Sequence, residues 1–325
     1  MKVIIPVAGA GTRLRPHTHS TPKVLISLAG KPMIGHILSQ LQGLPIDEVV
    51  MVIGHLGEKI KEYVEGSYKF KTTFVTQEKA KGLADAIYLT KQAVGDSDAL
   101  IILGDTVFKT SFKDLLNKQQ CQIGVKEVLD PRRFGVVELE GKRITRLVEK
   151  PEHPKTNLAI VGIYLIRKMP RLYSAIESLY DKKIKTKGEY QLTDALQLML
   201  EQGEHMEAFT VDGWYDCGKP ETLLETNRQL LEMNPLHPSP RSGVVINPPV
   251  FVDPSAKLEH CIIGPYVSVA ANSSVRNSVI SNTIIGSNVH IETMMLQNSL
   301  VGDNATVRGK QIRLNVGDGS EIDLT

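Results

Sequence analysis

The chemistry-bearing residues closest together lie near the start of the chain. They are Gly9, Gly11 and Arg13 in Gly9-Ala10-Gly11-Thr12-Arg13-Leu14-Arg15-Pro16, followed by Lys23 in Thr21-Pro22-Lys23. These types suit phosphate. Glycine tolerates positive φ and lacks the Cβ that would hold a ligand off the backbone. Successive backbone N–H groups from Ala8 through Thr12 can then form an anion-binding nest. Arg13 can clamp phosphate through two N–H groups, and Lys23 adds a point charge. A bare G-x-G is equally an ordinary tight turn; the whole run through Lys23 is what points to a site.

The elements that position this loop follow from apolar spacing. Val3, Ile4, Ile5 and Val7 form a continuous run, as in a parallel strand covered on both faces. Residues 31–44 read as a helix, with Met33, Ile34, Ile37, Leu38 and Leu41 on one face. Strands are expected over 47–53 and 72–77, with a short helix over 58–64 between them and another helix beginning near Leu83. Such alternation is the pattern of a doubly wound sheet, which binds ligands at the carboxyl ends of its strands. Ala99-Leu100-Ile101-Ile102-Leu103 is the clearest internal strand, and Gly104-Asp105 stands at that end of it. Asp105 is either the cap of a turn or a Mg²⁺ ligand, because magnesium takes hard oxygen donors, few of them from protein when phosphates are present.

From Cys121 the pattern changes. Strands are expected over 122–128, 135–139, 143–148 and 159–165 without a helix between each pair. Thr193 or Asp194 can cap the helix that carries Leu196, Leu198, Met199 and Leu200. Residues 234–248 are a proline-rich break that marks a domain boundary. Beyond it Cys261-Ile-Ile-Gly264, Ser278-Val-Ile-Ser281, Thr283-Ile-Ile-Gly286 and Ser299-Leu-Val-Gly302 recur with Val/Ile steps near six residues apart. This is hexapeptide-repeat texture, whose stacked coils form a β-helix over 249–325.

Composition narrows the function. At 325 residues the chain can hold two domains, and its net charge of +2, from 38 basic and 36 acidic residues, leaves no footprint for a nucleic acid partner. Cys121, Cys217 and Cys261 are odd in number and follow no metal spacing, which fits a reduced cytoplasmic setting. No apolar run approaches the ~18 residues needed to span a bilayer, so no membrane partner is expected. Pro6 interrupts the one short stretch that could pass for a signal sequence.

The run from Gly9 to Pro16, with Thr21-Pro22-Lys23 and then Lys31-Pro32-Met33, resembles the signature of the sugar-1-phosphate nucleotidylyltransferases. These enzymes join a sugar 1-phosphate to a nucleoside triphosphate and release pyrophosphate. Many members carry G-G-x-G-T-R. The form here is one residue shorter, as in bacterial UTP-glucose-1-phosphate uridylyltransferases, which weakens any transfer of base specificity. The resemblance implies an α/β, Rossmann-like mixed-sheet catalytic domain over 1–233. Its nucleotide-binding half would be 1–120 and its sugar-binding half 121–233, ahead of a left-handed parallel β-helix.

The remaining site residues come from this resemblance. On spacing alone, residues 77–86 are a loop with a glycine before a helix. Matched to the family, Gln77 hydrogen-bonds a pyrimidine edge and Gly82 lets the base pack against the backbone. Gly82-Leu83-Ala84 is the form of thymidylyltransferases, yet a thymine methyl adds only about 1 kcal/mol, so dTTP and UTP are both expected. Asp105 matches the metal-binding aspartate, and Asp216, in Trp214-Tyr215-Asp216-Cys217-Gly218, matches the second Mg²⁺ ligand. Phe134-Gly135-Val136-Val137 and then Glu149-Lys150-Pro151 look like the sugar site. There the Gly135 backbone passes the sugar, Glu149 accepts from its hydroxyls, and Lys150 and Lys23 bind its phosphate. Ile160-Val161-Gly162, where N-acetylglucosamine members usually show asparagine-threonine-glycine, offers no asparagine to an acetamido group and favours unsubstituted glucose 1-phosphate, with galactose or mannose 1-phosphate as alternatives. Glu189, in Gly188-Glu189-Tyr190-Gln191-Leu192-Thr193-Asp194, either reaches the sugar or merely precedes the helix. A homo-oligomer assembled partly through the β-helix is expected. Two alternatives stand beside the enzyme reading. One is a silent regulatory homologue that binds nucleotide sugar. The other is a bifunctional enzyme with acyltransfer at His260 or His290.

Overall fold

The computed structural model describes residues 1–234 and 242–310. The chain divides into two compact units, 1–226 and 227–325. The first is built on a nine-stranded mixed sheet. Lys2–Pro6 lies in its parallel half, flanked by Glu48–Ile53 on one side and Ala99–Ile102 on the other, with Thr72–Thr76 at the edge. Ile4 packs into one core cluster while Val3 and Ile5 pack into the other, the alternation of a strand buried on both faces. Helices cover both faces, so the doubly wound reading holds for this half. Leu158–Ile166 then enters antiparallel to Ala99–Ile102 and carries the sheet on through Cys121–Glu127, Met206–Thr210, Arg143–Glu149 and Gly135–Glu140.

Several elements differ from the sequence reading. The first helix runs only over Met33–Leu41, because Lys31–Pro32 instead pairs with Ser27–Leu28 and Pro32 stands at its N-cap. The helix expected to begin near Leu83 is two pieces, Leu83–Tyr88 and Lys91–Val94. Between them the Thr90 hydroxyl donates to the Ile87 carbonyl at 2.6 Å. Neither Thr193 nor Asp194 caps Leu192–Glu201, whose N-cap is Gln191. The amphipathic helix Met169–Asp181, absent from the sequence reading, packs Met169, Leu172, Tyr173, Ile176 and Leu179 into the core. A two-stranded ribbon, Thr106–Lys109 against Gly213–Asp216, was likewise not anticipated.

The second unit contains three four-stranded parallel sheets, the arrangement of the expected left-handed β-helix. Its interior is a column of Val and Ile that includes Val250, Val267, Ile285, Val275 and Ile291. Two features correct the expectation. The first rung already includes Val244–Ile246, paired with Cys261–Ile263, so the β-helix starts inside the segment read as linker. Val244 pairs with Cys261 and Val279 with Met295, so coils take 17 and then 16 residues rather than three strict six-residue steps. The corners shorten through left-handed residues: Tyr266, Asn282 and Asn298 at one corner, Asn272, Asn288 and Asn304 at another, all with φ between 41° and 64°. Asparagine tolerates this conformation better than other residues with side chains. The prolines at 235, 238 and 240 and the last fifteen residues of the expected β-helix lie outside the described residues.

Candidate active site

The ribbon makes the site. Thr106 pairs directly with Asp216, so Asp105 and Asp216 are brought side by side from segments far apart in sequence. Opposed Cα atoms in such a pair lie about 5 Å apart. Lys23 Nζ meets Asp105 Oδ2 at 3.0 Å, and Asp216 Oδ1 accepts from the Gly218 N–H at 3.0 Å. Beneath them Cys217 is buried and its thiol is pushed up to about 12, first by burial and further by the charges of Asp105 and Asp216. Cys217 is thus an inert packing thiol, and all three cysteines are buried and outside any disulfide. Asp105 and Asp216 are the pair able to hold a divalent cation. Among the described residues no third His, Cys, Asp or Glu joins them.

Two cavities share a wall that includes Arg13, Leu103, Asp105 and Asp216. The smaller, about 530 Å³, is lined by the glycine loop through Ala8, Gly9, Gly11 and Thr12, and by Lys23, Gln77 and Gly82. Ala10 is exposed and lines neither cavity. Gly9 and Gly11 differ in role. Nothing lies within 4 Å of a Cβ built on Gly9, which leaves its backbone open to a ligand. Gly11, at φ +61°, is needed by the loop itself, since a Cβ would press on Thr18 and Lys23 at 3.0 Å. The Thr18 hydroxyl fixes the loop from below through Gly11 O at 2.9 Å. Arg13 makes no hydrogen bond or ion pair with any described residue, which leaves its guanidinium available to the cavities it lines.

The larger cavity, about 830 Å³, is lined by Gly135, Glu149, Lys150, Val161 and Thr193, with Trp214 and Phe134 packed edge-on at 4.9 Å. Glu149 Oε2 accepts from the Thr193 hydroxyl at 2.7 Å, and Glu149 Oε1 meets Lys150 Nζ at 3.1 Å. A Cβ on Gly135 would stand 2.8 Å from Thr193 Oγ1 and 3.1 Å from Glu149 Oε2, so the glycine clears room for that contact. Lys150 sits at φ 44°, a sparsely populated conformation for a residue with a side chain, held by its N–H to Phe134 O at 3.0 Å. A bulge between Ile160 and Tyr164 redirects Val161 to the cavity. Leu103 takes the space beside Gly162, which stands at φ +91°. The Tyr164 hydroxyl, in the same wall, is raised far above its ordinary pKa, first by burial and then by the charges of Glu149 and Asp105.

Three placements depart from the sequence reading. Glu189 lines the smaller cavity, not the larger, and accepts from Gln191 Nε2 at 3.2 Å. Lys23 likewise belongs to the smaller cavity only. At Gly82, φ +118°, the space of a side chain is taken by the backbone of Tyr190. That glycine is demanded by the packing of two loops, besides any role toward a base. Sequence reasoning also passed over Thr193 as a partner of Glu149, and nothing local in the sequence signals that contact.

A glycine-loop cavity, a second cavity and two aspartates on their common wall stand on a mixed nine-stranded sheet covered by helices. The chain belongs to the Nucleotidyl transferase family, matched over residues 2–233. It is 32% identical over 366 aligned positions to the low-salt glycan biosynthesis nucleotidyltransferase of Haloferax volcanii, covering 100% of both chains. It is 29% identical to the glucose-1-phosphate thymidylyltransferase of Streptomyces antibioticus, covering 97% of this chain and 86% of the relative. Among solved structures it is similar to UDP-glucose pyrophosphorylase complexed with UDP-glucose. The TM-score is 0.64 and the identity 25%, over 72% of this chain and 99% of that one. No helix among the described residues is long and apolar enough to cross a membrane.

Proposed function

We propose that the protein transfers a nucleotidyl group from dTTP or UTP to glucose 1-phosphate and releases pyrophosphate. The observation that carries this reading is the wall shared by the two cavities, where Arg13, Asp105 and Asp216 stand between the glycine loop and the Glu149–Lys150 pair. A phosphate oxygen of the sugar 1-phosphate attacks the α-phosphorus in line, and the bond to pyrophosphate breaks. The nucleophile is already anionic, so no general base is required, and catalysis consists of positioning and charge stabilisation. The glycine loop and Arg13 hold the triphosphate. Lys150 binds the sugar phosphate, and Glu149, oriented by Thr193, accepts from sugar hydroxyls. Val161 offers no side-chain amide to an acetamido group, which supports an unsubstituted sugar. The names of the relatives support the same substrate pair.

The aspartate pair fits Mg²⁺. Two carboxylates, Asp216 on one strand of the ribbon and Asp105 in the turn before its partner strand, suit a cation that draws most of its ligands from phosphate and water. Asp105 and Asp216 would hold it, and it would supply neutralisation of phosphate charge.

The test is pyrophosphate release from glucose 1-phosphate and Mg²⁺ with dTTP, UTP, ATP, GTP and CTP in parallel. A dominant dTTP or UTP signal is expected. Silence with all five, repeated with galactose and mannose 1-phosphates, would overturn the enzyme reading in favour of a nucleotide-sugar-binding regulator.

A further inference from the structure

Gln77 is gripped at one end only. Its Nε2 donates to Asp85 Oδ2 at 2.9 Å and to the Gly82 carbonyl at 3.3 Å. Asp85 lies on Leu83–Tyr88 and is 7% exposed, and its other oxygen accepts from the Tyr180 hydroxyl at 3.0 Å. An ionised carboxylate and a backbone carbonyl can only accept. Both neighbours therefore require the N–H₂ end of the amide, and a flipped Gln77 would set its carbonyl oxygen against two acceptors. Chemistry alone thus fixes the orientation. Tyr180 is itself held edge-on between Tyr88 and Tyr190, with centroids 5.3 and 4.8 Å away. Burial, together with the Asp85 charge, raises its pKa and keeps it a donor. No described residue donates to Gln77 Oε1, and Gln77 lines the glycine-loop cavity.

We propose that Asp85, backed by Tyr180, is a positioning residue for base selection. It locks Gln77 so that only the carbonyl oxygen meets the base. The site then favours a base that presents an imide N–H, uracil or thymine, over cytosine, whose ring N3 is an acceptor. The proposal rests on the nucleotidyl-transfer reading and assigns a residue two steps back from the ligand.

The experiment measures kcat/KM for UTP, dTTP and CTP at saturating glucose 1-phosphate in wild type, Gln77→Ala, Asp85→Ala, Asp85→Asn and the Gln77→Ala/Asp85→Ala double variant. UMP and CMP binding is measured on the same proteins by calorimetry. Wild type is expected to prefer UTP and dTTP over CTP. Asp85→Ala should cut that preference at least tenfold through the nucleotide KM, leaving the glucose 1-phosphate KM within twofold. Asp85→Asn, which keeps the shape should Asp85→Ala fail to fold, can either donate or accept and should cut it at least threefold. The double variant should match Gln77→Ala, because Asp85 acts only through Gln77. Unchanged preference in both Asp85 variants, with Gln77→Ala losing it, overturns the lock. Unchanged preference in Gln77→Ala, or a wild type that prefers CTP, overturns base reading by Gln77 itself. If wild type releases no pyrophosphate, nucleotidyl transfer fails, and the UMP and CMP affinities still decide the lock by the same comparisons.

Discussion

Lys23 and Asp105 form a 3.0 Å ion pair in which the lysine is nearly buried and the aspartate half exposed, 12% against 51%. A pair of this kind contributes little to stability, so the placement of Asp105 on the wall shared by the two cavities, with Lys23 lining the smaller one, is better explained by the proposed transfer than by the fold. Asp105→Asn should leave the far-ultraviolet dichroism and the melting temperature near wild type. It should cut kcat by about 10²–10³-fold or more, the range for removing one positioned charge-stabilising group. Pyrophosphate release within tenfold of wild type would remove Asp105 from the reaction. At this scale much of the site was legible. The loop from Gly9 to Lys23 that lines the smaller cavity is local in sequence, and local patterns are what residue spacing reports. Thr193 and Asp85 were not legible, because the Thr193–Glu149 and Asp85–Tyr180 contacts join distant segments, and each side chain has an ordinary local role to which it could be assigned.

The elements carry the harder part. The ribbon beside Asp105 and Asp216 consists of two strands of four residues each, too short for period-two alternation to stand out, and one strand comes from the middle of the domain and the other from near its end. The continuous Val/Ile runs of the parallel strands were legible because burial on both faces leaves no polar interruption. Loop packing yields one prediction. Gly82→Ala would force a side chain into positive φ and into the Tyr190 carbonyl. It should lower stability by more than about 1 kcal/mol and raise the nucleotide KM, read by thermal melting and steady-state kinetics. A fully stable variant would show that the 186–191 segment yields freely.

The helix Met33–Leu41 gives a pH dependence. His36 Nε2 lies 2.8 Å from Leu28 O, and burial, the largest influence, lowers its pKa from 6.5. A base whose folded pKa lies below its unfolded value takes up a proton on unfolding. Its contribution is therefore complete above about 6.5 and is lost as pH falls from there toward the folded pKa. The wild-type melting temperature should accordingly drop more between pH 7.5 and 5.5 than that of His36→Gln. Equal drops would mean that His36 titrates alike in both states.

In the β-helix unit the three sheets present three different outer surfaces. The one through Lys257–Glu259 and Ser274–Arg276 is charged, with Arg276 paired to Glu259 at 3.1 Å and Arg308 to Glu292 at 3.6 Å. On the one through Val267–Val269, outward-placed Ser268 is buried and donates to Asn227 Oδ1 at 2.7 Å. The third aligns Val245, Ile262, Val279 and Met295 in register, at 54%, 39%, 40% and 83% exposure. With strands about 4.8 Å apart, these four side chains form an apolar stripe about 14 Å long, the kind of exposed ladder that marks an interaction surface. None of the residues in its four strands is charged, so a second copy could lay the same stripe against it without like-charge repulsion, as closed symmetric assembly requires. That makes a second copy our proposed occupant. Val279→Glu at the middle of the stripe should shift the wild-type oligomer toward monomer in sedimentation velocity at micromolar concentration. A wild type that already sediments as a monomer, or a variant with an unchanged coefficient, would show that another surface, or none, joins the copies.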